Sequence, residues 1–121
     1  MASYSERRRA IRIAINGNLT VEDAAGGQPL RLVDVGMGGF CVRALAPMPL
    51  DALGTYTFAT PDRKWSASFN ARTVHCKVLP PEGKGAQQYA IGFTFVGTET
   101  APVQRELMAM MDYAMNFVSY S

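Results

Sequence analysis

Ile11, Ile13 and Ile15 alternate with Arg12, Ala14 and Asn16, the period-two pattern of a strand with one buried face. Asn16-Gly17-Asn18 reads as a turn or bulge, after which Leu19-Thr20-Val21 resumes the strand. Gly26-Gly27 predicts a hairpin, Leu30–Asp34 the next strand, and Gly39–Ala44 a third beyond a short glycine turn. Pro47 and Pro49 interrupt the sheet, and a strand over residues 54–60 ends at Pro61-Asp62. A long segment from Lys64 to Leu79 then places Trp65, Ala67, Phe69 and Ala71 on one face. Beyond Arg72 the apolar set becomes Val74, Cys76 and Val78, a change of parity that predicts a β-bulge near Arg72-Thr73. His75 then falls on the outer face with Thr73 and Lys77. Tyr89–Val96 is the last strand, and Gly92 within it implies a close backbone approach.

The period changes at the end of the chain. Val103, Leu107, Met110, Met111, Ala114, Phe117 and Val118 recur at helical spacing, opposite Arg105, Asp112 and Asn116. Thr100 suits the cap and Pro102 the first turn, which predicts a helix over about residues 100–118. Six short strands separated by turn signals, followed by one helix, predict a mainly β fold. The expected architecture is a six-stranded antiparallel β-barrel with a C-terminal α-helix, since closure removes the exposed edges.

The chain of 121 residues gives one domain's worth of sequence, expected as a basic arm over residues 1–10 and a barrel domain over 11–121. Residues 1–9 carry too little apolar surface to order themselves, so the arm is expected to be flexible. Apolar content of 48% suits one modest core, and a net charge of +2 is too small for general nucleic-acid binding. No apolar run is long enough to span a membrane and no signal peptide is visible, which predicts a cytoplasmic protein. Cys41 and Cys76 lack metal or redox spacing and are expected as buried free thiols.

Charge distribution carries more than the total. Arg7, Arg8, Arg9 and Arg12 cluster just before the first strand, and Asp34-Val35-Gly36-Met37-Gly38-Gly39 forms the glycine turn. An arginine fork binds bidentately to phosphate and to the O6 and N7 edge of guanine. A carboxylate such as Asp34 accepts from guanine N1–H and N2–H₂ together. Gly38 and Gly39 permit positive φ and leave room for a base against the backbone.

Arginines four apart (Arg8, Arg12), then Asp34-x-Gly36-x-x-Gly39, resemble the two signatures of PilZ domains, bacterial receptors for cyclic di-GMP. Gly36 departs from the pattern, standing where the family has serine. The resemblance spans Glu6 to the last helix and implies the six-stranded barrel read independently above. It implies Arg8, Arg12, Asp34, Gly36 and Gly39 as ligand contacts, and Arg7 as the residue that goes with an intercalated dimer of the ligand. It also implies an arm that orders on ligand binding, and a protein partner controlling motility, exopolysaccharide, biofilm or virulence. Arg9, Gly38 and His75 are further candidate contacts, His75 by stacking on a guanine. If the missing serine hydroxyl met a phosphate, its loss costs about 1.5–3 kcal/mol, so the site is expected to be weakened rather than abolished. Restoring serine is expected to tighten binding if the hydroxyl's place is empty.

One histidine, no paired loop carboxylates and no metal spacing point to a binding module rather than an enzyme, with no metal. Trp65 is expected to line the core or plug a strand end. Met108 and Met115 widen the helix's apolar stripe beyond packing needs, which allows a partner or homodimer seam. A degenerate PilZ adaptor that binds no nucleotide is the alternative. A basic-armed nucleic-acid barrel is disfavoured because no exposed aromatic tract lines the strands.

Overall fold

The computed structural model describes residues 11–81, 83 and 85–115. Among the described residues seven strands form one antiparallel sheet: β1 Ile13–Ala14, β2 Thr20–Asp23, β3 Arg31–Val35, β4 Gly39–Ala44, β5 Leu53–Ala59, β6 Ser66–Val78 and β7 Tyr89–Val96. Helix α1, Ala101–Met115, follows. The strand order is β1-β3-β4-β7-β6-β5-β2. Six strands were expected. The isoleucine run and Leu19–Val21 are two strands, because Gly17 at φ 84° turns the chain between them.

That turn has a global consequence. β1 and β2 are consecutive in sequence yet occupy opposite edges of the sheet. Across a flat sheet they would stand about 29 Å apart at the usual strand spacing. The chain from Ala14 to Thr20 reaches only about 20 Å when fully extended. The sheet must therefore curl until its edges approach. β2 pairs with β5 and not with β3, so Gly26-Gly27 connects two unpaired strands and is not the expected hairpin.

Phe40, Tyr56, Phe58 and Phe93 fill the interior, all nearly inaccessible to solvent. Phe40 and Phe93 stack at 4.5 Å between centroids, while Tyr56 and Phe58 present edges to Phe40. Leu107, Met110, Met111 and Ala114 of α1 are buried with this core. Thr100 Oγ1 accepts from the Val103 N–H at the start of the helix. At its other end the Asn18 side-chain amide donates to the Tyr113 and Ala114 carbonyls, at 2.9 and 2.8 Å. Terminal helix carbonyls lack partners within the helix, so this residue ties α1 to the β1–β2 turn. Trp65 is half-buried and lies against Tyr113 with centroids 5.1 Å apart, at the junction of β6 and α1. The expected helix residues 116–118 fall outside the described part of the chain. Among the described residues no helix is long and apolar enough to cross a membrane.

The bulge in β6 lies between Thr73 and His75, one residue later than the parity change suggested. The shift reverses two expectations. Thr73 is fully buried and Val74 is exposed, because the extra residue at the bulge is Val74. Val78 is likewise exposed, and Cys76 alone of that apolar set packs against the core. The Thr73 hydroxyl is left buried without a hydrogen-bond partner among the described residues.

Candidate functional site

The sheet registers bring distant residues into one line. Asp34 pairs with Cys41, Cys41 with Gly92, and Gly92 with His75, so the four lie in a row across β3, β4, β7 and β6. Alternation puts Phe40 and Val42 inward and leaves this row on the outer face. Arg12 enters just before β1 and donates from Nη1 to Asp34 Oδ1 at 3.1 Å. Arg12, Asp34, Cys41, Val74, His75 and Gly92 border an open cavity of about 280 Å³. Three expected ligand contacts, Arg12, Asp34 and His75, therefore converge. Arg7, Arg8 and Arg9 lie outside the described residues.

The ion pair is exposed, with the two side chains 45% and 31% accessible. Pairs of this kind contribute only about 0.2–1 kcal/mol, so exchanging the carboxylate for another anion costs Arg12 little. Asp34 would then be open to a donor pair.

The glycines act differently from the sequence reading. Neither Gly38 nor Gly39 adopts positive φ. A Cβ on Gly39 would collide with the Phe93 carbonyl oxygen and stand 3.1 Å from its carbon, so Gly39 serves the close approach of β4 to β7. Its carbonyl also accepts from the Gly36 N–H at 2.8 Å, which closes the turn. The Gly38 carbonyl accepts from the Phe95 N–H and the Thr94 hydroxyl. Gly36 is buried beneath the incoming chain: a Cβ there would sit 2.5 Å from the Ile11 carbonyl oxygen and 3.2 Å from Arg12 Cδ. The place of the missing serine is thus not empty, contrary to the condition under which restoring it was expected to help. The backbone of Ile11 occupies it.

The bare backbone that the sequence reading sought in the turn occurs at Gly92. The His75 ring lies directly on it, and any Cβ would strike the imidazole. Glycine on β7 thereby lets the ring lie against the floor of the cavity.

Cys41 was expected buried and is half-exposed beside Asp34, as is Cys76 elsewhere; both are free. Burial first, then the Asp34 carboxylate, pushes the Cys41 thiol above its ordinary value, while Arg12 and Arg43 oppose the rise. Cys41 and Gly92 were missed as site residues. Their signal was present in the alternation of β4 and β7, where Phe40, Val42, Ile91 and Phe93 point inward and leave the intervening residues outward.

The sequence model of the PilZ domain matches residues 6–111. The chain belongs to the PilZ domain family. Among solved structures it resembles the PilZ domain of YcgR from Escherichia coli with c-di-GMP, at TM-score 0.66 and 18% identity over 90% of this chain and 92% of that one. It also resembles PlzA of Borreliella burgdorferi in complex with c-di-GMP, at TM-score 0.57 and 9% identity. That match covers 98% of this PilZ chain and 57% of PlzA. At these identities the likeness is one of fold. No curated protein sequence matches the chain.

Proposed function

We propose that this PilZ protein is a cyclic di-GMP receptor, a binding module that transmits the signal through altered protein contacts. The observation that carries this reading is the convergence of Arg12, Asp34 and His75 around one open cavity. Arg12 supplies a guanidinium fork for phosphate or a guanine Hoogsteen edge. Asp34, freed from Arg12, accepts from guanine N1–H and N2–H₂. His75, held flat on Gly92, offers a stacking surface. Arg7, Arg8 and Arg9 complete the cationic set from the preceding arm, which orders over the ligand and alters the surface presented to a partner. Arg7 favours an intercalated ligand dimer. Control of motility, biofilm or virulence is the output this reading carries.

Calorimetry with cyclic di-GMP on wild type, Arg12→Ala and Asp34→Ala tests it. Expected are binding at about two ligands per chain and a loss of about tenfold or more in each variant, from the 1.5–3 kcal/mol of a charged hydrogen bond. Absence of wild-type binding would refute the proposal.

One observation favours a second reading, an adaptor that acts through protein contacts without nucleotide. The Ile11 carbonyl fills the position of the family's serine side chain. The same calorimetry separates the two.

A further inference from the structure

A second row runs parallel to the first on the same outer face. Arg31 pairs with Arg43, Arg43 with Ala90, and Ala90 with Lys77. Each member of β4, β7 and β6 lies two residues from its counterpart in the Asp34–Cys41–Gly92–His75 row. The bulge between Leu32 and Asp34 brings Arg31 into the same line. Two residues of antiparallel strand advance about 7 Å, so the rows are neighbours. The charge of Arg43 acts on Cys41 in the first row, consistent with that spacing.

Arg31, Arg43 and Lys77 are exposed, and among the described residues none forms an ion pair with a carboxylate. Arg31 and Arg43 stand directly opposite each other on adjacent strands. Like charges in that relation destabilise a sheet. Between Arg43 and Lys77 the floor is only Ala90. Cavities of about 230 and 320 Å³ flank Arg43, the first bordered by Arg31 and Gln88 and the second by Pro80 and Gln88. Cations without a carboxylate partner among the described residues, over a low floor and one row from the proposed nucleotide site, suit an anion.

We infer that Arg31, Arg43 and Lys77 bind a phosphodiester of the nucleotide seated on the first row, extending the site beyond the arginine arm and the glycine turn. This inference rests on the cyclic di-GMP reading. The anion relieves the Arg31–Arg43 repulsion, so ligand binding and sheet stability are linked here.

The test compares wild type, Arg43→Gln, Arg31→Gln, Arg43→Lys and Arg12→Ala by calorimetry with cyclic di-GMP and by thermal melting without it. Arg43→Gln and Arg31→Gln are expected to weaken binding about tenfold. In the same proteins the ligand-free melting temperature is expected to rise by about 1–4 °C as the repulsion is removed. Arg43→Lys keeps the charge and is expected to recover most of the affinity. A merely structural role would lower the melting temperature instead. Unchanged affinity in both glutamine variants, with Arg12→Ala still impaired, overturns the subsite and leaves the receptor reading intact. Failure of wild type to bind overturns both.

Discussion

Gly36→Ala tests how the entering chain at Ile11–Arg12 and the glycine turn are coupled. The added Cβ would lie 2.5 Å from the Ile11 carbonyl oxygen. Carbon–oxygen contacts ordinarily begin near about 3.3 Å, so Ile11 must withdraw by roughly 0.8 Å. Arg12 follows in sequence and is itself 3.2 Å from the same Cβ position. Its 3.1 Å bond to Asp34 would stretch beyond hydrogen-bonding range. Overpacking of this kind costs about 1–3 kcal/mol. The free protein relieves it by letting Ile11 and Arg12 shift. Because Arg12 must return to its place over the cavity to meet the ligand, the cost falls on binding, about five- to 150-fold in affinity for cyclic di-GMP. A stiffer unfolded chain offsets about 0.4–1 kcal/mol in stability but not in binding geometry, so affinity is expected to fall more than melting temperature. Gly36→Ser carries the same Cβ plus a hydroxyl, and the difference between the two variants isolates the hydroxyl. A phosphate contact would make serine about tenfold or more tighter than alanine. Calorimetry on both variants, with melting curves to exclude loss of fold, decides the matter. An alanine variant that binds as tightly as wild type would refute the coupling of Ile11, Gly36 and Arg12.

Other positions give separate checks. Gly39→Ala forces a Cβ into the Phe93 carbonyl of the paired strand, and thermal melting should report a loss of about 1–3 kcal/mol or more. Phe40→Ala removes a fully buried ring that stacks on Phe93 and should cost about 3–5 kcal/mol by denaturant titration. Thr73→Val replaces a buried hydroxyl that has no partner among the described residues with a methyl group and should raise stability by about 1 kcal/mol; a lower melting temperature would show that the hydroxyl has a partner. The thiolate is the reactive form, and the raised Cys41 value keeps the thiol protonated to higher pH. In a Cys76→Ser background its alkylation by iodoacetamide should therefore reach half-maximal rate above the pH found for an unfolded thiol. A midpoint at or below that pH would contradict the effect of burial and Asp34.

Some of the site was legible because local pattern fixes it. Alternation in β4 carries the outward side of Cys41 and Arg43 once Phe40 and Val42 are inside, although Cys41 was expected buried because it lies in an apolar run. Asp34 and Arg12 are separated by 22 residues in sequence, and the motif suggested their meeting before the antiparallel pairing of β1 with β3 placed them together. His75 kept its outward position although the bulge moved, because its neighbour Val74 absorbed the extra residue. The conformation of Gly38 and Gly39 and the space beside Gly36 were misread for a physical reason. A glycine's role depends on what approaches it, and Ile11, Phe93 and His75 come from other strands or from the preceding chain.

Sequence alone determined the strand-rich pattern, the helix beginning after Thr100 and the identity of the charges. These follow from periodicity and capping, which act over a few residues. The tertiary structure decided that β1 and β2 lie at opposite edges of a curled sheet, that the bulge falls at Val74, and that two outer rows share one face. Strand order and register depend on contacts between residues far apart in the chain. A shift of one residue exchanges the two faces of a strand, and only the packed core selects between them.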